Sequence, residues 1–291
     1  MKNKFRGTGV ALVTPFVGGT VDFEGLSRVI EHCIEGGVEY LVSLGTTGES
    51  ATLTPQESLE VLEFTTKTIA ERVPLVAGFG GNNTQAIIDK IKAFHFEGVD
   101  AILSVSPYYN KPTQEGIYRH YMALAEVAPR PIIIYNVPSR TGSNITAETT
   151  LRLAHASDKF IAVKEASGNL VQCMNIVSAK PDNFLVLSGD DAITLPMLSF
   201  GIDGVISVIA NACPRPFSDM VRHGLNGDFK AASKLHFDLL EMMDLIFVEG
   251  NPAGVKAALE LEGICSKEVR LPLVELSEKT YAQMKLSLIH I

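Results

Sequence analysis

One lysine stands in the middle of an apolar, β-prone run, FIAVKEAS, residues 160–167. Lysine is seldom fully buried without a partner. Loss of water disfavours its ammonium form and lowers its pKa, and a neutral amine can attack a ketone to form a Schiff base. Lys164 is therefore a candidate nucleophile. On spacing alone it is equally half of a structural ion pair with Glu165 or Asp191, although adjacent strand residues face opposite ways and make Glu165 a poor partner. Tyr135 closes the run PIIIYNV, residues 131–137. Its phenol can shuttle protons to and from a carbinolamine, or it is a packed aromatic with a satisfied hydroxyl. Arg140 follows on a short P-S-R-T-G loop, where a guanidinium can grip a carboxylate in bidentate fashion; a plain surface arginine is the alternative. The loop GTTGES, residues 45–50, sets two threonines between glycines. Glycines permit close approach to a ligand, and free N–H groups ahead of a helix form an anion site. The loop lacks the length and lysine of a nucleotide P-loop, so a small carboxylate fits it better; an ordinary strand-to-helix turn reads the same way.

These residues need a frame to bring them together. Short apolar runs recur at 9–16, 40–45, 74–80, 101–106, 131–137, 160–165, 184–189 and 204–209. Continuous runs of this length fit strands buried on both faces, as in a parallel sheet. Amphipathic patterns lie between them. Asp22 can cap a helix carrying Leu26, Val29, Ile30, Cys33 and Ile34 on one face, ended by Gly36-Gly37. Thr54-Pro55-Gln56-Glu57 is a full capping box. Similar patterns cover 84–97, 114–128, 146–156, 170–179, 191–199 and 215–224. Eight strand–helix units predict a (β/α)8 TIM barrel over residues 1–225. A doubly wound open sheet is the alternative, but TPFVGGTVD after the first strand is not its GxGxxG fingerprint. Residues 226–291 read as helices only, a C-terminal extension packed on the barrel. In a barrel the candidate residues all fall at C-terminal strand ends, where active sites form.

Composition narrows the function classes. The chain has 291 residues and a net charge of −8, with no run of Lys or Arg. Nucleic acid is a poor partner, because phosphate contacts need a basic face. Cys33, Cys173, Cys213 and Cys265 form no CxxC, so zinc and disulfides are both poor readings and buried reduced thiols are expected. The histidines show no ligand spacing, and no metal site is expected. His32, His95, His120 and His155 fall in helical patterns and are expected on helix surfaces. No apolar run approaches the ~20 residues of a membrane helix. The start, MKNKFRGTGVALVTPF, is too broken by Gly and Pro for a secretory signal, so a cytoplasmic location is the expectation.

In order along the chain, GTTGESATL, SPYYNKPTQEGIY, YNVPSRTG, IAVKEASGN, LSGDD and GVISV closely resemble the dihydrodipicolinate synthase family of bacterial lysine biosynthesis. The resemblance spans residues 5 to about 272. The broader superfamily holds N-acetylneuraminate lyase and other pyruvate-dependent class I aldolases. The resemblance implies that pyruvate forms a Schiff base with Lys164, becomes an enamine and attacks aspartate semialdehyde, with no cofactor. Tyr135 would be the proton shuttle, completed by Thr46 and by Tyr109 of a neighbouring subunit. Thr47 would hold the pyruvate carboxylate, Arg140 the carboxylate of the semialdehyde, and the carbonyls of Gly189 and Ile206 would line the pocket. A homotetramer, built as a dimer of tight dimers, is implied as well, with a dimer as the alternative. The S-R-T-G reading and GTTGE in place of GSTGE favour the synthase over a sialic-acid lyase. A barrel that binds a 2-oxo acid without turnover is the non-enzymatic alternative.

The resemblance also implies an effector site for lysine, matched here by Ser50, Ala51, Asn82 and Tyr108. Where lysine-inhibited relatives have two histidines and a glutamate, this chain has Pro55, Ser58 and Ala86. The carboxylate that would meet the effector's amines is gone. Lysine is therefore expected to inhibit weakly or not at all in a steady-state assay, and half-maximal inhibition at low micromolar concentration would refute this.

Overall fold

The computed structural model describes residues 4–289. Strand β1 (Gly7–Ala11) leads into a small antiparallel hairpin, β2 (Phe16–Val17) and β3 (Thr20–Val21). Then follow β4 (Tyr40–Ser43), β5 (Leu75–Gly78), β6 (Ala101–Val105), β7 (Ile132–Asn136), β8 (Phe160–Glu165), β9 (Leu185–Ser188) and β10 (Gly204–Ser207). Apart from the hairpin, each strand pairs in parallel with the next, and β1 closes the ring against both β4 and β10. This is the predicted (β/α)8 barrel, not an open sheet.

The connecting helices are α1 (Phe23–Glu35), α2 (Pro55–Ile69), α3 (Thr84–Ala93), α4 (Gln114–Val127), α5 (Pro138–Thr141), α6 (Ala147–Ala156), α7 (Leu170–Ala179), α8 (Thr194–Ser199) and α9 (Pro214–Leu225). Most begin on a short polar side chain that accepts from an orphan backbone N–H. Asp22 caps α1 and Thr54 caps α2 in the expected capping box. Asn83, Thr113, Thr146 and Asn169 do the same for α3, α4, α6 and α7. After them come α10 (Phe229–Leu245), α11 (Ala253–Leu261) and α12 (Glu278–Leu288), the helices expected past residue 225.

Four local expectations change. The hairpin in TPFVGGTVD was not foreseen; its signal is the two-residue Gly18-Gly19 turn, both residues at positive φ. The P-S-R-T segment is one turn of helix, α5, and not a loop. The pattern over 84–97 stops at Ala93, so His95 lies beyond the helix. His120 is buried and not on the surface. It shares the i, i+3, i+4, i+7 stripe of Ile117, Tyr121 and Leu124, so helical spacing sends it inward. Its Nδ1 meets Thr84 Oγ1 at 2.8 Å, and burial lowers its pKa to about 4, which keeps it neutral.

The core has two layers. One lies between the strands and the helices; the other fills the barrel with inward side chains such as Tyr40, Val42, Leu103, Ile133, Leu187 and Ile206. Tyr40 spans this interior and donates to the Val205 carbonyl at 3.2 Å. Its ring lies where a Cβ on Gly9, in the adjoining strand, would have to sit. Gly9→Ala forces the ring off its rotamer in a filled interior, so a loss of roughly 1–3 kcal/mol is expected from the urea midpoint.

Candidate active site

A cavity of about 560 Å³ opens at the C-terminal ends of the strands. Thr46, Thr47, Tyr135, Arg140, Lys164 and Gly189 all line it. Six of the residues singled out in the sequence are thus brought to one place. A larger cavity, about 1190 Å³, lies at the opposite end of the barrel, beside the starts of β5 to β8. There Lys4 pairs with Asp100 and Arg72 with Glu31, while Arg130 and Lys159 donate to backbone carbonyls. The smaller cavity therefore holds the groups with unused chemistry.

Lys164 is 5% exposed and on the inward face of β8. Its register partner on β7 is Tyr135, and its Nζ lies 4.5 Å from the centre of that ring. No carboxylate among the described residues forms a salt bridge with it. The two ion-pair alternatives fail for separate reasons. Glu165 faces outward, where it accepts from Asn136 Nδ2, Gln172 Nε2 and the Ser167 N–H at 2.8–3.1 Å. Asp191 accepts from the Val208 and Ile209 N–H groups at 3.0 and 2.8 Å. The lysine stem also crosses Gly189: a Cβ at that position would lie 3.0 Å from Lys164 Cε and 2.7 Å from Ala166 Cβ. Only glycine leaves the stem its path.

The amide network around Glu165 fixes the two strand tips that carry the site. Asn136 follows Tyr135, and its Nδ2 also donates to Asn144 Oδ1 at 2.8 Å, while its Oδ1 accepts the Ile145 N–H at 2.9 Å. Gln172, in α7, donates to the Ile145 carbonyl. The segment beyond Arg140 is thereby tied to β7 and β8 together. Arg140 itself is exposed and pairs with no carboxylate among the described residues, so its fork is open to a ligand.

Thr46 and Thr47 sit on a tightly bent loop with Leu44 and Glu49 at φ 58° and 52°. Side chains there cost of order 1 kcal/mol each and persist only where the surroundings impose them. Asn251 Nδ2 donates to Thr47 Oγ1 at 3.0 Å, so the threonine's own proton is free to donate to an anion. Asn251, Met243, Phe247 and Val248 also line the cavity, and all come from the C-terminal extension. Sequence reasoning missed them, because the barrel rule looks only at strand ends.

Two sequence-selected residues lie outside the lining. Ile206 is buried in β10, deeper in the barrel. Tyr109 is 87% exposed and at φ 72°. The four effector-site residues lie on three successive strand-to-helix loops: Ser50 and Ala51 after β4, Asn82 after β5 and Tyr108 after β6. Among the described residues, no group of His, Cys, Asp and Glu is placed to hold a metal ion. None of the described helices is long and apolar enough to cross a membrane.

Asp191 gives the site a measurable pH signature. Burial pushes its carboxyl up to about 6, against the pull of the Ile209 and Val208 N–H groups, and the neighbouring Asp190 adds to the rise. A raised pKa stabilises the fold below the ordinary carboxyl range, and that stabilisation is lost as pH rises through about 6. Asp191→Asn keeps an acceptor and carries no charge. It should be more stable than the parent by up to about 3 kcal/mol near pH 7.5, with the difference shrinking below about 1 kcal/mol near pH 4. Urea titrations across this range read the effect, and a difference constant with pH would contradict it.

Comparisons with known proteins bear on the family and the fold. A model described as the dihydrodipicolinate synthetase family matches residues 4–291. The 4-hydroxy-tetrahydrodipicolinate synthase of Parabacteroides distasonis is 50% identical over 281 residues, 96% of this chain and 95% of that protein. The protein of the same name from Flavobacterium psychrophilum is 51% identical over 275 residues, 94% of each. Among solved structures, dihydrodipicolinate synthase from Aquifex aeolicus superposes with a TM-score of 0.95 at 42% identity, covering 98% of this chain and 97% of the other. A monomeric dihydrodipicolinate synthase variant superposes with a TM-score of 0.96 at 38% identity, covering 99% and 97%. By family match, identity and fold alike, the chain belongs to the dihydrodipicolinate synthetase family.

Proposed function

We propose that this chain is the lyase that condenses pyruvate with L-aspartate 4-semialdehyde to 4-hydroxy-tetrahydrodipicolinate, in diaminopimelate and lysine biosynthesis. The observation that carries the reading is the Lys164 amine: buried, free of a carboxylate, against the Tyr135 ring, and open to a cavity. Lys164 Nζ attacks the keto carbon of pyruvate, and the carbinolamine loses water to give the iminium. The iminium draws electrons from the methyl group, which loses a proton to give the enamine. The enamine carbon attacks the aldehyde, and the substrate amine then displaces Lys164 as the ring closes. The iminium is its own electron sink, so the steps need no metal or organic cofactor. N-acetylneuraminate lyase chemistry is the alternative within the superfamily; the open Arg140 fork suits an acceptor that carries a carboxylate, as aspartate semialdehyde does.

The residue roles proposed are those that the family resemblance implies. Tyr135 moves protons to and from the carbinolamine, with Thr46 next in the relay. Thr47 holds the pyruvate carboxylate through its hydroxyl and backbone N–H, Arg140 grips the semialdehyde carboxylate, and Gly189 and Ile206 supply carbonyls. Tyr109 completes the relay from a second copy; a large aromatic, exposed and in the left-handed region, is costly unless a partner covers it. The Tyr109 relay needs at least a second copy; a homotetramer in the cytoplasm is the assembly the family resemblance implies, with residues 1–225 as the barrel and 226–291 as its helical extension. Ser50, Ala51, Asn82 and Tyr108 are the proposed remnant of the effector site.

Borohydride reduction in the presence of pyruvate tests the reading. A covalent adduct should map to Lys164 and vanish in Lys164→Ala; an unmodified parent would leave only a binding barrel. Arg140→Ala should lower kcat/KM for the semialdehyde by roughly 10–100-fold, the worth of a charged hydrogen bond, while pyruvate trapping stays largely intact. Equal loss of both would contradict the assigned roles, and turnover of N-acetylmannosamine but not the semialdehyde would overturn the acceptor.

A further inference from the structure

We infer that the C-terminal extension is a working part of the pyruvate site, and that the buried Lys256–Glu49 ion pair positions the threonine loop from behind. The inference rests on the reading of Thr47 as the carboxylate anchor. Glu49 lies two residues past Thr47, at φ 52°, with its side chain fully buried. Lys256 Nζ, in α11, donates to Glu49 Oε1 at 2.5 Å, and the Arg270 N–H donates to Oε2 at 3.0 Å. Lys256 also donates to the Glu268 carbonyl at 2.7 Å.

The same segment grips the loop further on. The Arg270 guanidinium donates to the Thr52 carbonyl at 3.1 Å and to both oxygens of Glu57, at 2.6 and 3.0 Å. Glu57 is the third residue of the α2 capping box, so Arg270 holds the far end of the loop as Lys256 holds its middle. Both cations lie over the ring of Phe16, at 4.2 and 4.3 Å. Glu268 takes the Gly18 and Gly19 N–H groups, which fixes the hairpin that carries Phe16. With Asn251 on the Thr47 hydroxyl, every polar hold on the loop from outside the barrel, among the described residues, comes from residues 251–270.

Stability does not explain such a pair. Desolvating two charges costs about as much as their attraction returns, and well-packed neutral residues often do as well. What the pair supplies is register: a fixed direction for Glu49 in a backbone conformation that would otherwise relax, and so a fixed direction for the Thr46 and Thr47 N–H groups. Lys256 and Glu49 touch no substrate; they are positioning residues.

The test is a volume-conserving double variant, Glu49→Gln with Lys256→Met, in the full chain. The urea midpoint should stay close to that of the parent. The pyruvate KM should rise at least about tenfold while the semialdehyde KM stays within about twofold, and imine trapping should recover at saturating pyruvate. A folded double variant with a pyruvate KM within about twofold of the parent, or with both KM values and kcat altered together, overturns the inference. If the double variant does not fold, Glu49→Gln alone, which keeps one of the two acceptors and removes the charge, is read by the same two outcomes. Thr47→Val separates the two levels. An unaltered pyruvate KM there overturns the reading of the loop itself; a raised one beside an unaltered double variant overturns only the role of the ion pair.

Discussion

Lys164 and Tyr135 are register partners on adjacent parallel strands. Backbone hydrogen bonds, and not a flexible loop, set the distance between amine and phenol. The pairing works because the strand period is two: both residues face into the barrel, and their neighbours Glu165 and Asn136 both face out. A one-residue slip of β8 against β7 would bring the Glu165 carboxylate inside opposite Tyr135 and turn the amine out. The outward pair resists that slip. Asn136 and Glu165 are hydrogen-bonded to one another and to Gln172 and Asn144, and an unmade bond in that buried network would cost of order 1–3 kcal/mol.

The two buried lysines make the logic plain. Each sits in an apolar stretch, IAVKEA and AGVKAA, and each ends up out of water. Lys256 has a carboxylate at 2.5 Å, a carbonyl and an aromatic face, and none of its donors is left for a ligand. Lys164, among the described residues, has the aromatic face alone, and it opens on a cavity. Burial by itself therefore does not mark a nucleophile. Burial without a carboxylate, beside space, is what supports the role proposed for Lys164.

The sequence carried the barrel, the caps and the ring of polar strand ends, because each is written in a local period or a local turn residue. It also placed Lys164, Tyr135, Arg140, Thr46, Thr47 and Gly189 at strand ends, and a barrel necessarily gathers those. Asn251, Lys256 and Arg270 were not legible. They reach the site from helices and loops outside the repeating unit, across roughly 200 residues of chain, and no local pattern reports such a contact. The AGVKAA stretch did offer a hint, since it poses the same question as the lysine in FIAVKEAS. His120 failed in the opposite sense: residue type suggested the surface, and the spacing of its helix decided otherwise.

The holds on the GTTGES loop have a bearing on how the molecule comes into being. The loop is made early, at residues 45–50, and the residues that set its shape are made late, at 251–270. The ring of strands also joins β1 to β10 and so waits on residue 207. A chain emerging from the ribosome can close its barrel before its last quarter appears, yet the loop then has Thr14 on its Gly48 carbonyl and lacks the contacts from residues 251–270. Such a nascent chain has its ring of strands before the contacts that reach the GTTGES loop from residues 251–270.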